Sequence, residues 1–130
     1  MLPTTGENNV IRGLKFAGIP VRNQDEALKF YTDKLGFKVV TDQPFNGQQR
    51  WIELSIPGAD TRIVLFTPPG HEDRVGTFHS LSFWCDDVFA TADLLKKKGV
   101  EFAAEPKAEK WGTSAVIRDP DGNQFVLSSR

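Results

Sequence analysis

Residues 57–65 (PGADTRIVL) and residues 119–127 (DPDGNQFVL) carry the same succession of signals, a turn rich in Pro, Gly and Asp followed by an apolar strand. The second copy lies 62 positions after the first. Its leading DPDG is a strong hairpin turn, because these residue types favour the backbone angles of tight turns. A turn and strand that return in this way predict a chain built from two similar halves.

The matching extends over the rest of each half. Val21 aligns with Cys85 and Gly36 with Gly99, at offsets of 64 and 63, so only short gaps separate the copies. Each half reads strand, helix, strand, strand, strand. We therefore expect an internal duplication of a βαβββ unit. A ferredoxin-like sandwich is the alternative, but it does not place three strands after each helix.

The helix boundaries have recognisable caps. In the first half, Asn23 is a good N-cap with Glu26 three residues on, and Gly36 ends the helix. In the second half, Asp86 or Asp87 caps a helix that ends at Gly99. The strands are predicted over 13–21, 37–41, 50–56 and 61–67, and then over 77–85, 100–103, 113–118 and 123–129.

This duplication gives the expected domain organisation. A first module over 11–68 and a second over 77–130 are joined by a Pro/Gly/charge-rich linker over 69–76. A chain of 130 residues buries enough surface to fold as one domain without a disulfide or a metal. The two modules together are therefore expected to form one domain.

Composition excludes several classes of protein. There are 16 Lys and Arg against 17 Asp and Glu, a net charge of −1, which argues against a nucleic-acid interface and gives no reason for an anionic membrane partner. No apolar run approaches the roughly 18 residues of a membrane span. Met1 to Asn9 lacks the pattern of a signal peptide, and the single Cys85 excludes an internal disulfide. A cytoplasmic location is therefore expected.

Three stretches resemble the vicinal oxygen chelate superfamily, which includes glyoxalase I, extradiol dioxygenases and the bleomycin-resistance proteins. They are IPVRNQDEALKFYTDKLGFKVV (19–40), LSFWCDDVFATADLLKKKGVEF (81–102) and WGTSAVIRDPDGNQFVL (111–127). The resemblance covers residues 13–129. It implies an α+β fold of two βαβββ modules whose curled mixed sheets form a cleft, and it implies a homodimer.

The metal-dependent members of that superfamily take their ligands from four positions, which correspond here to Phe16, Val64, Ser80 and Val126. None of the four is a usual ligand, because divalent ions prefer imidazole and carboxylate groups. The absence of a usual ligand at all four positions predicts a protein without a metal or another cofactor. His79 should point to the face opposite Ser80, although an alignment slip of one residue would bring it into the cleft.

Strand alternation separates the side chains that face the core from those that face the cleft. The core set is Ile52, Leu54, Ile56, Ile63, Leu65, Leu81, Phe83, Cys85, Phe125 and Leu127. The opposite set is Phe16, Trp51, Glu53, Arg62, Val64, Phe66, Ser80, Ser82, Trp84, Gln124 and Val126. From the opposite set, the candidate ligand-binding residues are Phe16, Trp51, Glu53, Arg62, Phe66, Ser80, Trp84 and Gln124.

Aromatic faces with few polar groups suit a pocket for a flat organic ligand, and a closed second core is the alternative. Glu53 and Arg62 are placed to pair across adjacent strands. The resemblance to the bleomycin-resistance branch implies a metal-free protein that binds a small aromatic or peptide-like compound. The alternative is a lyase, isomerase or dioxygenase that uses a shifted metal site or an acid–base residue such as Glu53. No catalytic residue is predicted.

Overall fold

The computed structural model describes residues 10–130, so the expectation for Met1 to Asn9 lies outside the described residues. The first unit comprises β1 (Phe16–Pro20), α1 (Gln24–Lys29) with a π-helical continuation (Phe30–Lys34), β2 (Lys38–Pro44), β3 (Arg50–Ser55) and β4 (Arg62–Phe66). A 3-10 turn (Glu72–Arg74) follows. The second unit comprises β5 (Phe78–Cys85), α2 (Val88–Lys97), β6 (Glu101–Glu109), β7 (Gly112–Arg118) and β8 (Gln124–Ser129).

Each unit forms one open four-stranded sheet. The strand orders are β1-β4-β3-β2 and β5-β8-β7-β6. The first strand of each unit runs parallel to the last, and the other neighbours are antiparallel, so both sheets are mixed. The predicted α+β fold of two βαβββ modules is confirmed. The exact module limits, 11–68 and 77–130, stay a prediction.

Both helices begin at the kind of cap that the sequence predicts. The Asn23 side chain accepts a hydrogen bond from the Glu26 backbone N–H at 3.0 Å. In the second unit Asp87, not Asp86, is the cap, and it accepts from the Ala90 N–H at 3.0 Å. An N-cap side chain satisfies one of the amide groups that a helix leaves unpaired at its start.

Several elements differ from their predictions. β1 begins at Phe16 rather than at 13, and β2 runs to Pro44 rather than ending at 41. The first helix becomes π-helical after Lys29, where the Leu35 N–H donates to the Phe30 carbonyl five residues back at 3.4 Å. Nearby, the Thr32 hydroxyl donates to the Leu28 carbonyl at 2.8 Å, a side-chain bond that competes with the helix ladder. Strand β6 runs to Glu109 rather than ending at 103, because it pairs with β7 along its whole length.

The two modules share a single hydrophobic core. Ile52, Leu54, Ile63 and Leu65 are at most 1% exposed, and the core side predicted for β3, β4, β5 and β8 is confirmed. Phe125 and Leu127 are buried as well, whereas Ile56, Leu81, Phe83 and Cys85 are partly buried against the same cluster. Within the described chain, no helix is long and apolar enough to cross a membrane.

A buried polar network, here called the inter-module bridge, joins Tyr31 and Pro20 of the first unit to Asp119 and Asn123 of the second. The Tyr31 hydroxyl donates to Asp119 Oδ2 at 2.7 Å, and the Asn123 amide donates to the Pro20 carbonyl at 2.8 Å. Burial, and then the Asp119 charge, raise the pKa of Tyr31 far above its usual value, so its hydroxyl stays a donor. Both Tyr31 and Asn123 are fully buried. The bridge therefore fixes how the two modules pack.

Candidate functional site

Six of the predicted cleft residues lie together on one face of the first sheet. We call this set the module-1 face: Phe16 on β1, Trp51 and Glu53 on β3, and Arg62, Val64 and Phe66 on β4. The register places Phe16 beside Arg62 and Glu53 beside Val64. Neighbours in register point to the same side of a sheet, so alternation and pairing agree on this grouping.

The module-1 face is an aromatic cluster. The rings of Phe16 and Trp51 meet edge to face, with centroids 5.6 Å apart. Phe45 also contacts Trp51, at 5.7 Å, although 62% of it is exposed. The Phe66 ring lies over Gly18, where a Cβ atom would be only 2.9 Å from it. Sequence reasoning missed Phe45 because it lies in the loop after β2, where no strand alternation applies.

An ion pair crosses this face, as the sequence predicted. Arg62 Nη1 donates to Glu53 Oε2 at 2.9 Å, and the Trp51 indole N–H donates to Glu53 Oε1 at 3.1 Å. The Trp51 hydrogen bond, followed by that from Arg62, lowers the pKa of Glu53, and the charge of Lys15 acts in the same direction. Glu53 is therefore a carboxylate at neutral pH. A carboxylate with a lowered pKa is a weak general base.

The other five residues of the predicted cleft lie together on the second sheet, and we call them the module-2 face. They are Ser80, Ser82 and Trp84 on β5, and Gln124 and Val126 on β8. Ser82 pairs with Val126 in register, and its hydroxyl lies 2.9 Å from that of Ser128.

This second face is open. Trp84 is 56% exposed, and the Arg130 guanidinium lies 4.7 Å from its ring centre. Phe78 is 54% exposed at the other end of β5. The sequence reasoning omitted Phe78 and Arg130, although counting by two from Ser80 and from Ser128 would have found them. The face therefore combines hydroxyl groups with exposed aromatic rings.

The two faces do not meet within one chain. Among residues 10–130, no hydrogen bond or aromatic contact joins a member of one face to a member of the other. A groove of about 430 Å³ lies elsewhere, between the π-helical turn and the second module, and its lining includes Lys29, Phe30, Lys34, Glu101 and Arg118. In the described part of the chain the two faces are therefore separate candidate surfaces, and the module-2 face is the more exposed of the two.

The residues present do not fit the divalent metal of the metal-dependent relatives. The corresponding positions hold Phe16, Val64, Ser80 and Val126, which offer one hydroxyl in all, and Val64 is 2% exposed. No group of three His, Cys, Asp or Glu side chains that could hold a metal ion occurs in the part of the chain that the structure describes.

His79 does not supply the missing ligand on the cleft side. Its Nε2 lies 2.8 Å from Asn123 Oδ1, and its ring stacks on Phe125 in the core. The Asn123 amide nitrogen donates to Pro20 and Asp119, so Oδ1 is an acceptor and His79 Nε2 must donate to it. The expectation that His79 faces away from Ser80 is confirmed.

Comparisons with known proteins agree with this fold. Residues 13–127 match the model of the Glyoxalase/Bleomycin resistance protein/Dioxygenase superfamily. The uncharacterized protein YetH of Bacillus subtilis is 34% identical over 118 residues, covering 91% of this chain and 98% of its own. A probable lactoylglutathione lyase of Vibrio parahaemolyticus is 28% identical, with 82% of this chain and 83% of its own covered.

Among solved structures, TnmS3, an antibiotic binding protein from Streptomyces sp. CB03234, superimposes with a TM-score of 0.83. It is 32% identical, and the match covers 94% of this chain and 98% of that one. The duplicated βαβββ topology, the match over almost the whole sequence and the identity to these relatives lead to one conclusion. The chain belongs to the Glyoxalase/Bleomycin resistance protein/Dioxygenase superfamily.

Proposed function

We propose that this protein is a metal-free binding protein that takes a small aromatic or peptide-like organic compound against its module-1 face. The observation that carries the proposal is the aromatic cluster of Phe16, Trp51 and Phe66 around the Glu53–Arg62 pair. Aromatic surface with a few fixed polar groups is typical of sites for organic ligands. The similarity to an antibiotic binding protein supports the same class of function.

A homodimer in the cytoplasm is the form in which we propose that it works. Strands β1 and β5 are sheet edges, and the module-2 face leaves Phe78 and Trp84 more than half exposed. Unpaired edges and exposed aromatic rings favour association with a second copy. If the module-2 face of one copy covers the module-1 face of the other, Ser80, Trp84 and Gln124 complete the site.

The enzymatic alternative has weaker support. A lyase, isomerase or dioxygenase of this superfamily would need either a metal or a good acid–base group. The four metal-ligand positions do not fit an ion, and Glu53, the carboxylate of the module-1 face, has a lowered pKa. The similarity to probable lactoylglutathione lyases therefore supports a common fold more than a common reaction.

The proposal is tested by titrating aromatic compounds, including aromatic antibiotics, into the purified protein while the indole fluorescence is recorded. We expect saturable binding to at least one compound, recovered unchanged by mass spectrometry. Phe16→Ala should weaken that binding about tenfold, because a buried ring contact is lost. Leu94→Ala, at an exposed position on α2, is the control and should bind as the parent does. Conversion of the compound to a product would contradict the proposal.

A further inference from the structure

The carboxylate of the module-1 face, Glu53, is less exposed than the guanidinium beside it. Both Glu53 oxygens already accept hydrogen bonds, one from Trp51 and one from Arg62. The Glu53 side chain is 13% exposed, whereas that of Arg62 is 43% exposed. A molecule that approaches this face therefore meets the guanidinium before the carboxylate.

Arg62 has N–H donors that make no side-chain hydrogen bond in the described part of the chain. A guanidinium carries five N–H groups in a planar fork, and in the described part of the chain only Nη1 makes a side-chain hydrogen bond. That bond holds one end of the group in place, and 43% of the Arg62 side chain is exposed. A guanidinium that is oriented by one carboxylate and open on its other edge is suited to bind a second one through two parallel bonds.

An aromatic surface lies directly beside this cation. Phe16 is the register neighbour of Arg62 on the adjacent parallel strand, and neighbouring strands in a sheet lie about 4.8 Å apart. The Phe16 ring in turn meets Trp51. A planar ring with an acidic group attached would therefore contact both features at once.

The rest of the candidate site adds no exposed negative charge. The module-2 face consists of Ser, Trp, Gln and Val side chains, and the Arg130 guanidinium lies over the Trp84 ring. Lys15 contributes further positive charge near Glu53. The Glu53 and Arg62 charges cancel, and Lys15 and Arg130 add positive charge close to the two faces, whereas the whole chain has a net charge of −1.

From this arrangement we infer that the ligand is an aromatic carboxylate, with its acid group on the free edge of Arg62 and its ring on Phe16. The inference rests on the proposed binding function and names its ligand class. It excludes a cationic compound as the preferred ligand, since such a compound would have to displace Arg62 from Glu53.

Three probes with the same ring test the inference: 2-naphthoate, 2-naphthamide and 2-naphthylmethylammonium. Each is titrated by calorimetry into the full-length protein near neutral pH, at low salt and then at high salt. We expect 2-naphthoate to bind about tenfold more tightly than the amide, because a charge-assisted pair of hydrogen bonds is stronger than a neutral one. The ammonium probe should bind most weakly, and salt should weaken only the naphthoate.

Matched variants distinguish an effect of the Arg62 charge on ligand binding from an effect on folding. Arg62→Gln should lower the naphthoate affinity about tenfold and change that of the amide by less than about twofold. Glu53→Gln removes the carboxylate that orients Arg62, so it should weaken naphthoate binding, though by less than Arg62→Gln does. Arg22→Gln is the control, because Arg22 is also an exposed arginine in an ion pair, 3.6 Å from Asp121, but lies outside both faces. Melting curves of all three variants show whether each one folds.

The possible failures are distinguishable. If the amide binds as tightly as the naphthoate and Arg62→Gln changes neither, the inference is wrong and the proposed function stands. Tightest binding of the ammonium probe also overturns the inference alone. If none of the three probes binds up to its solubility limit, both the inference and the proposed function on this face are overturned.

Discussion

At the scale of single residues, Glu53 links the charge of the module-1 face to the stability of the fold. Its pKa is lowered in the folded chain, so the ionised form stabilises the native state. That stabilisation is complete above about pH 4.5, the ordinary glutamate value, and is lost as the pH falls through the lowered folded value. Half-exposed pairs of this kind contribute about 0.2–1 kcal/mol.

We therefore predict that Glu53→Gln lowers the free energy of unfolding by about 0.5 kcal/mol at neutral pH. The difference from the parent should be smaller at acidic pH, below the lowered pKa of Glu53, because the parent carboxylate is then protonated as well. Urea unfolding at both pH values, followed by far-UV circular dichroism, measures it. A difference that is the same at both pH values would show that the ion pair is not its source.

Trp84 and Leu81, three residues apart on β5, have opposite environments. Leu81 packs partly against the core, and Trp84 is 56% exposed. We predict that Leu81→Ala costs about 2 kcal/mol of stability, the lower end for a large-to-small change, since Leu81 is not fully buried. Trp84→Ala should cost less than about 1 kcal/mol and mainly weaken ligand binding. Thermal melts and ligand titrations of both variants test this, and equal melting losses would contradict it.

At the scale of elements, the second helix offers a matched pair of variants. Asp87 caps α2 through its bond to the Ala90 N–H, whereas its exposed neighbour Asp86 has no such bond in the described structure. We predict that Asp87→Ala lowers the stability by about 1 kcal/mol and that Asp86→Ala has an effect below about 0.5 kcal/mol. Chemical denaturation of the two variants compares them. Equal effects would mean that net charge, not capping, is responsible.

The caps, the strands of the core and the duplication were all predictable, because each leaves a local pattern. Ile52 and Leu54 alternate with polar residues, and Asn23 precedes a helical stretch. The second half of β6 was not predictable by alternation. It is an edge strand that contains Pro106 and several charged residues, and its backbone pairs with β7 only because the hairpin brings it there.

The candidate site was predictable only in part. Alternation found both faces, and register agrees with it for the residues that are paired, whereas Ser80 lies in the irregular part of β5. It could not show that the two faces lie apart within one chain, because that depends on how the modules pack. The position of Phe45 against Trp51 depends on a loop, and loops carry no periodic signal.

At the scale of the whole molecule, the separation of the two faces bears on how copies of the chain assemble. We predict a homodimer, with a mass twice that of the 130-residue chain in multi-angle light scattering at micromolar concentration. The edge of β5 and the exposed Phe78 and Trp84 provide the association surface, together with the part of the β1 edge before Pro20, whose carbonyl bonds to Asn123. Phe78→Ser should shift the equilibrium toward monomer. A parent protein that is monomeric under these conditions contradicts the prediction.

We also predict that the purified protein binds no divalent ion at the four positions that correspond to the metal ligands of the superfamily. The reason is the chemistry of Phe16, Val64, Ser80 and Val126, none of which offers an imidazole or carboxylate. Elemental analysis after purification without added metal, and again after dialysis against zinc and nickel, measures the bound ion. One ion per chain that a chelator removes, with loss of ligand binding, would show that the prediction is wrong.

The inter-module bridge has a consequence for how the duplicated chain can change. Asp119 and Asn123 align with Pro57 and Thr61 of the first copy, neither of which can supply a carboxylate or an amide. Only the second copy therefore reaches across to Tyr31 and Pro20. The two halves are therefore not interchangeable. A tandem of two first halves would keep the strands and helices of each unit. It would lack the hydrogen bonds from Tyr31 to Asp119 and from Asn123 to Pro20, which set the two units at their native angle.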